Sequence, residues 1–97
     1  MARSRIERIR QRIRRREYDM SAHAMEEMAE DLLDIIDVES AILTGSITRI
    51  ERDDPRGTKY VVRGLAADKQ TSVGVVGQFG NERFVIITVY QVMEPED

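Results

Sequence analysis

The order of residue types predicts an α+β domain, with helices first and a four-stranded antiparallel β-meander after them. Three observations carry this. Apolar residues recur at helical spacing up to Gly45, and β-branched runs take over from Ser46. The stretch Asp53-Asp54-Pro55-Arg56-Gly57 reads as a tight reversal, because proline presets φ, aspartate bonds the backbone ahead of it and glycine accepts positive φ. Two further turn signals, Ala67-Asp68-Lys69 and Gly80-Asn81, cut the remainder into strand lengths.

Composition sets outer limits. Ninety-seven residues suit one domain (1–97), read as a basic helix over 1–17, an α+β core over 20–92 and a tail over 93–97. With no cysteine and a single histidine, neither a disulfide framework nor a multi-histidine zinc site is expected, and no cofactor is indicated. No apolar run approaches the ~18 residues of a membrane-spanning helix, and the arginine-rich start lacks a secretory apolar segment. A cytoplasmic protein with no membrane partner is the expectation.

Ile6, Ile9 and Ile13 give a thin apolar stripe, so residues 4–17 are expected to form a helix docked by isoleucine. Residues 1–17 hold eight arginines against two glutamates, whereas 19–39 hold eight acids and no lysine or arginine. The arginines, Arg8 and Arg12 among them, either lie against the acidic block, in this chain or in a second copy of a homodimer, or meet nucleic-acid phosphate. Ser21 is a helix cap for residues 21–31, where Met25, Met28 and Leu32 continue an apolar face. Asp34 and Asp37 have the spacing of a capping box for a third helix over 35–44, and Gly45 suits a left-handed stop. Strands are expected over 46–52, 58–66, 70–78 and 83–91. Both faces of Phe84–Tyr90 are apolar, which puts that strand inside the sheet. Gly74 and Gly77 either weaken the third strand or allow something to approach it closely.

His23 is the one side chain with an ordinary pKa near neutrality, and a histidine beside a cap is more often structural than catalytic. By alternation Thr88 and Tyr90 share a face with Phe84 and Ile86. Tyr90 then either buries its ring with the hydroxyl satisfied, or joins Arg56 and Tyr60 in a surface that grips phosphate and stacks a base. Arg56, at the turn tip or just inside the next strand, either pairs with Asp53 or Asp54 or contacts a ligand.

Ser21-Ala22-His23-Ala24, Met28, Asp37-Val38, Gly45, Asp53-Asp54-Pro55-Arg56-Gly57 through Tyr60 and Gly64, and Thr88-Val89-Tyr90 resemble the bacterial domain of unknown function numbered 4258. The resemblance covers about residues 20–92. It implies helices on a four-stranded antiparallel sheet, and a distant relationship to metal-independent RNase toxins of the RelE, colicin and barnase type. It therefore implies a RelE-like endoribonuclease toxin with RNA as substrate and an antitoxin protein as partner. The alternative is a non-catalytic protein- or ligand-binding domain on the same scaffold. For RNA cleavage the candidate catalytic residues are His23, Arg56 and Tyr90, with Tyr60, Thr88, Arg8 and Arg12 for binding. Relatives often carry arginine where Glu27 and Asp31 stand, and glycine where Leu32 stands. Here the second helix is acidic.

Overall fold

The computed structural model describes residues 4–93, and the tail expected over 93–97 lies outside them from residue 94 onward. The elements are α1 (Arg5–Arg14), β1 (Tyr18–Met20), α2 (Ala22–Glu30), α3 (Ile35–Thr44), β2 (Ser46–Glu51), β3 (Lys59–Leu65), β4 (Ser72–Gly80) and β5 (Arg83–Gln91). The α+β class and the three helices are as expected. The sheet is not the four-stranded antiparallel meander: it has five strands in the order β1-β5-β4-β3-β2, and β1 runs parallel to β5. Among the described residues no helix is long and apolar enough to cross a membrane.

Local chemistry accounts for most boundaries. Ser4 and Ser21 accept the Glu7 and Ala24 N–H groups and start α1 and α2. The Asp37 carboxylate accepts the Asp34 N–H at the start of α3, one arm of the capping box. α1 stops short of residue 17 because Arg16 turns left-handed, with φ of 56°, and the Glu17 N–H closes on the Arg12 carbonyl. That reversal frees Glu17 to Ser21 to run beside β5, where the Glu17 carbonyl accepts from Phe84 and the Ser21 N–H donates to Ile86. Three residues are too few to show a period, so β1 left no sequence signal. β4 starts at Ser72 rather than residue 70 because the Asp68 carboxylate holds the Gln70 and Thr71 N–H groups in a turn.

All three helices and one sheet face share one core, in which Ile9, Ile13, Val38, Ile42, Val62 and Phe84 are buried. α1 contacts α3, but among the described residues no arginine of α1 pairs with the acidic block of its own chain. Among the described residues its ion pairs are Arg12 with Glu17 and Arg14 with Glu7, both local. Arg10 donates to the Ile42 and Gly45 carbonyls at the C-terminal end of α3, where a cation complements the helix dipole. Arg8 stacks over the Phe79 ring at 4.9 Å. Gly45 does not end α3 in a left-handed conformation: its φ is −96°, and its role is steric. A β-carbon at Gly45 would overlap the Arg63 carbonyl oxygen, and one at Gly64 would overlap that of Ala41, so helix and strand backbones touch here.

Of the apolar face expected on α2, only Met28 packs on the core. Met25 and Leu32 are exposed, and the helix is held by buried Ala24, half-buried Met28 and two of its acids. Beyond β1 the edge of β5 carries unpaired amides, and α2 meets them with carboxylates. Glu27 accepts the Val89 N–H at 3.0 Å and Asp31 accepts the Gln91 N–H at 3.0 Å. Removing the Glu27 carboxylate leaves the amide of a fully buried residue without an acceptor. Glu27→Ala is expected to destabilise the fold by about 1.5–3 kcal/mol, the range for hydrogen bonds to charged groups, and Glu27→Gln by less. His23→Ala removes only an exposed 3.3 Å contact to the same carboxylate and should shift stability by less than about 0.5 kcal/mol. Thermal melts of the three variants check this.

Candidate functional site

Among the described residues no helix packs on the second, bare face of the sheet. Its residues follow from the register: Arg49 and Glu51 on β2, Lys59, Val61 and Arg63 on β3, Gly74, Val76 and Gln78 on β4, and Arg83 and Val85 on β5. Asp19 on β1 shares this face and takes the Arg83 guanidinium at 2.7 and 3.1 Å. Counting Arg56 and Asp54 at its rim, this face gathers five cations against three carboxylates, on a chain whose net charge is −3.

Tyr90 and Thr88 belong to this face, not to that of Phe84 and Ile86. The pairs Gly77↔Ile86 and Val76↔Thr88 leave Ile87 as an extra residue, a β-bulge that reverses the alternation. The Tyr90 ring crosses Gly74, where a β-carbon would overlap it. Tyr60 lies on the opposite face, its ring edge-on to Phe79 at 5.7 Å, so the expected surface of Arg56, Tyr60 and Tyr90 is divided by the sheet. Arg8 and Arg12 belong to α1 and are engaged with Phe79 and Glu17 as described above.

Arg56 sits on the β2–β3 turn, which Asp54 organises. The Gly57 N–H closes on the Asp54 carbonyl, with Pro55 at the position where its fixed φ fits and Gly57 at φ of 128°. The Asp54 carboxylate receives Lys59 Nζ at 2.7 Å and the Arg56 N–H at 2.8 Å. The Arg56 guanidinium, 79% exposed, is only loosely paired with it at 3.4 Å. The turn borders a cleft of about 140 Å³ lined by Arg56, Lys59, Gln78 and Ile87. The buried Oε1 of Gln78 has no hydrogen-bond partner among the described residues.

The bonds from Lys59 and then from the Arg56 amide lower the Asp54 pKa to about 2. A depressed carboxylate pKa stabilises the folded turn above the ordinary carboxylate range, and this contribution is lost as pH falls towards the folded value. The turn is therefore expected to hold above pH ~4 and to loosen between about 4 and 2. Carboxyl-carbon NMR of Asp54 checks this, and a midpoint near the ordinary aspartate value would contradict it.

His23 lies on the first turn of α2, 64% exposed, with Nε2 3.3 Å from Glu27. Among the described residues no hydrogen bond or ion pair joins any two of His23, Arg56 and Tyr90. A chain of structure relates two of them: Ile87 lines the Arg56 cleft and its carbonyl accepts the hydroxyl of Ser21, the cap before His23. Lys59 and Gln78 were missed in the sequence, although alternation about Val62 and Val75 places both on the bare face. No group of residues able to hold a metal ion occurs among the described residues.

Fold and site define a small α+β domain with three helices on one sheet face and a cation-rich face left open. The chain belongs to the family Domain of unknown function (DUF4258), which it matches over residues 20–91. No curated protein and no solved structure matches it.

Proposed function

We propose that this domain is a RelE-like, metal-independent endoribonuclease toxin that takes single-stranded RNA on the bare face of its sheet. The observation that carries the reading is that Arg49, Arg56, Lys59 and Arg63 lie on or at the rim of the same sheet face as the Tyr90 ring, with Arg63 level with it across Gly74, in an acidic protein. Cations follow the phosphate backbone, and an aromatic ring offers a stacking platform to a base. In the reaction the ribose 2′-oxygen bonds to the adjacent phosphorus and the P–O5′ bond breaks, leaving a 2′,3′-cyclic phosphate and a 5′-hydroxyl. Arg56 compensates the charge that develops on the phosphoryl oxygens. The Tyr90 hydroxyl and the His23 imidazole are the groups that move protons from the 2′-oxygen and to the leaving oxygen. Thr88 supplies a hydroxyl for orientation on the same face.

The second reading is a binding domain without chemistry on that face. It is favoured by the lack, among the described residues, of any hydrogen bond or ion pair joining His23, Arg56 and Tyr90, and by the involvement of the His23 partner, Glu27, with the Val89 amide. Purified protein incubated with single-stranded RNA in excess chelator, with ends mapped by primer extension, separates the two. Cleavage yielding cyclic-phosphate ends supports the nuclease. Intact RNA, both here and in cells expressing the protein at levels confirmed by blot, rejects it. Fluorescence anisotropy against the same RNA then tests binding alone.

A further inference from the structure

The apolar side of α2 that the core covers only in part is the strongest unassigned feature of the molecule. Met25, Met28 and Ala29 on α2, with Met20, Leu33 and Ile35, line an open groove of about 490 Å³. Leu32, the residue before Leu33 of the lining, is 91% exposed, and Met25 and Ile36 are also exposed. Leu32 adopts φ of 56°, a conformation that suits glycine and disfavours a leucine. A strained side chain directed into water contributes nothing to this fold. The segment that forms the groove is acidic: Asp34 lines it, Glu26 and Glu30 are exposed on α2, and residues 19–39 contain no lysine or arginine.

We propose that this groove docks the apolar side of a cationic amphipathic helix from another protein. Leucine-sized side chains of such a helix fill the groove, and its lysines or arginines meet Glu26, Glu30 and Asp34. Methionine is suited to the task because its flexible thioether chain adapts to the side chain it receives. α1 of a second copy is the wrong occupant, since its Ile9 and Ile13 are buried in its own core and leave an arginine surface with no apolar side. The inference does not depend on the RNA-cleaving reading, because the groove is formed by Met20, α2 and its junction with α3, and by none of the residues named on the bare sheet face.

The test uses a labelled helical peptide with leucine at i, i+3, i+4 and i+7 and lysine elsewhere, and a twin with glutamate in place of lysine. The lysine peptide is expected to bind the full chain, more weakly as salt rises, and the glutamate twin not to bind. Leu32→Gly and Met25→Ser are each expected to weaken binding about tenfold, equivalent to about 1.4 kcal/mol. Leu32→Gly keeps every charge and relieves the backbone, so it should melt no lower than the wild type, which separates lost docking from lost folding. The proposal is overturned if neither peptide binds, if both bind alike, or if the two variants retain full affinity. It is also overturned if sedimentation shows a wild-type dimer that Leu32→Gly dissociates, since the occupant is then a second copy.

Discussion

Replacing Gly64 by alanine is expected to lower the melting temperature by more than about 10 °C, the largest stability effect of any single-methyl change in this chain. The new β-carbon would overlap the carbonyl oxygen and carbon of Ala41, and Gly45 stands against the same site. These are backbone atoms of α3 and of its junction with β2, so no side-chain rotation relieves the overlap. The helix has to move away from β3, and Val38, Ala41 and Ile42 move with it out of full burial. Overpacking typically costs about 1–3 kcal/mol, and a rigid helix–strand contact belongs at or beyond the upper end. Gly80→Ala is the control, because nothing lies within reach of its β-carbon. It should be neutral, or stabilising by up to about 0.5–1 kcal/mol through the unfolded state. Equal melting temperatures for the two variants would mean that α3 does not rest on β3 at this point.

Tyr90→Phe and Arg56→Ala are expected to reduce RNA cleavage by about 10²–10⁴-fold and 10²–10³-fold respectively, if the bare face is a nuclease site. Both changes leave the core intact. The Tyr90 ring still covers Gly74 after loss of its hydroxyl, and Arg56 is exposed, with one loose ion pair. Melting temperatures should therefore stay within about 2 °C of the wild type, which ties the loss to chemistry. Binding gives a separate measure. For single-stranded RNA each neutralised phosphate adds about −0.7 to the slope of log affinity against log salt, so Arg56→Ala should reduce the slope by about that amount. Tyr90→Phe should leave the slope unchanged. A Tyr90→Phe protein that cuts at the wild-type rate would remove Tyr90 from the chemistry, and His23→Ala then decides whether any side-chain proton carrier is involved.

Some of this architecture is written in short stretches of chain. The caps at Ser21 and Asp34, the proline-led turn at Asp54–Gly57 and the β-branched runs of β3 and β5 each depend on residues a few positions apart, so their spacing is legible directly. Arg56 at an exposed turn was legible for the same reason. The family resemblance over the core was carried by those same local features. The rest was decided by partners distant in sequence. Glu27 and Asp31 read as the solvent side of α2, yet they face the amides of Val89 and Gln91, some sixty residues on, because an edge amide in a buried strand needs an acceptor more than a methionine needs cover. The bulge at Ile87 appears only once β4 is laid beside β5, and it alone moves Thr88 and Tyr90 from the core side to the bare face. β1 exists because a left-handed turn at Arg16 brings three residues alongside Phe84–Ile86. Apart from β1, local spacing determined which residues form helices, strands and turns in this protein. Which face each one shows was set by hydrogen bonds that close only when the sheet assembles.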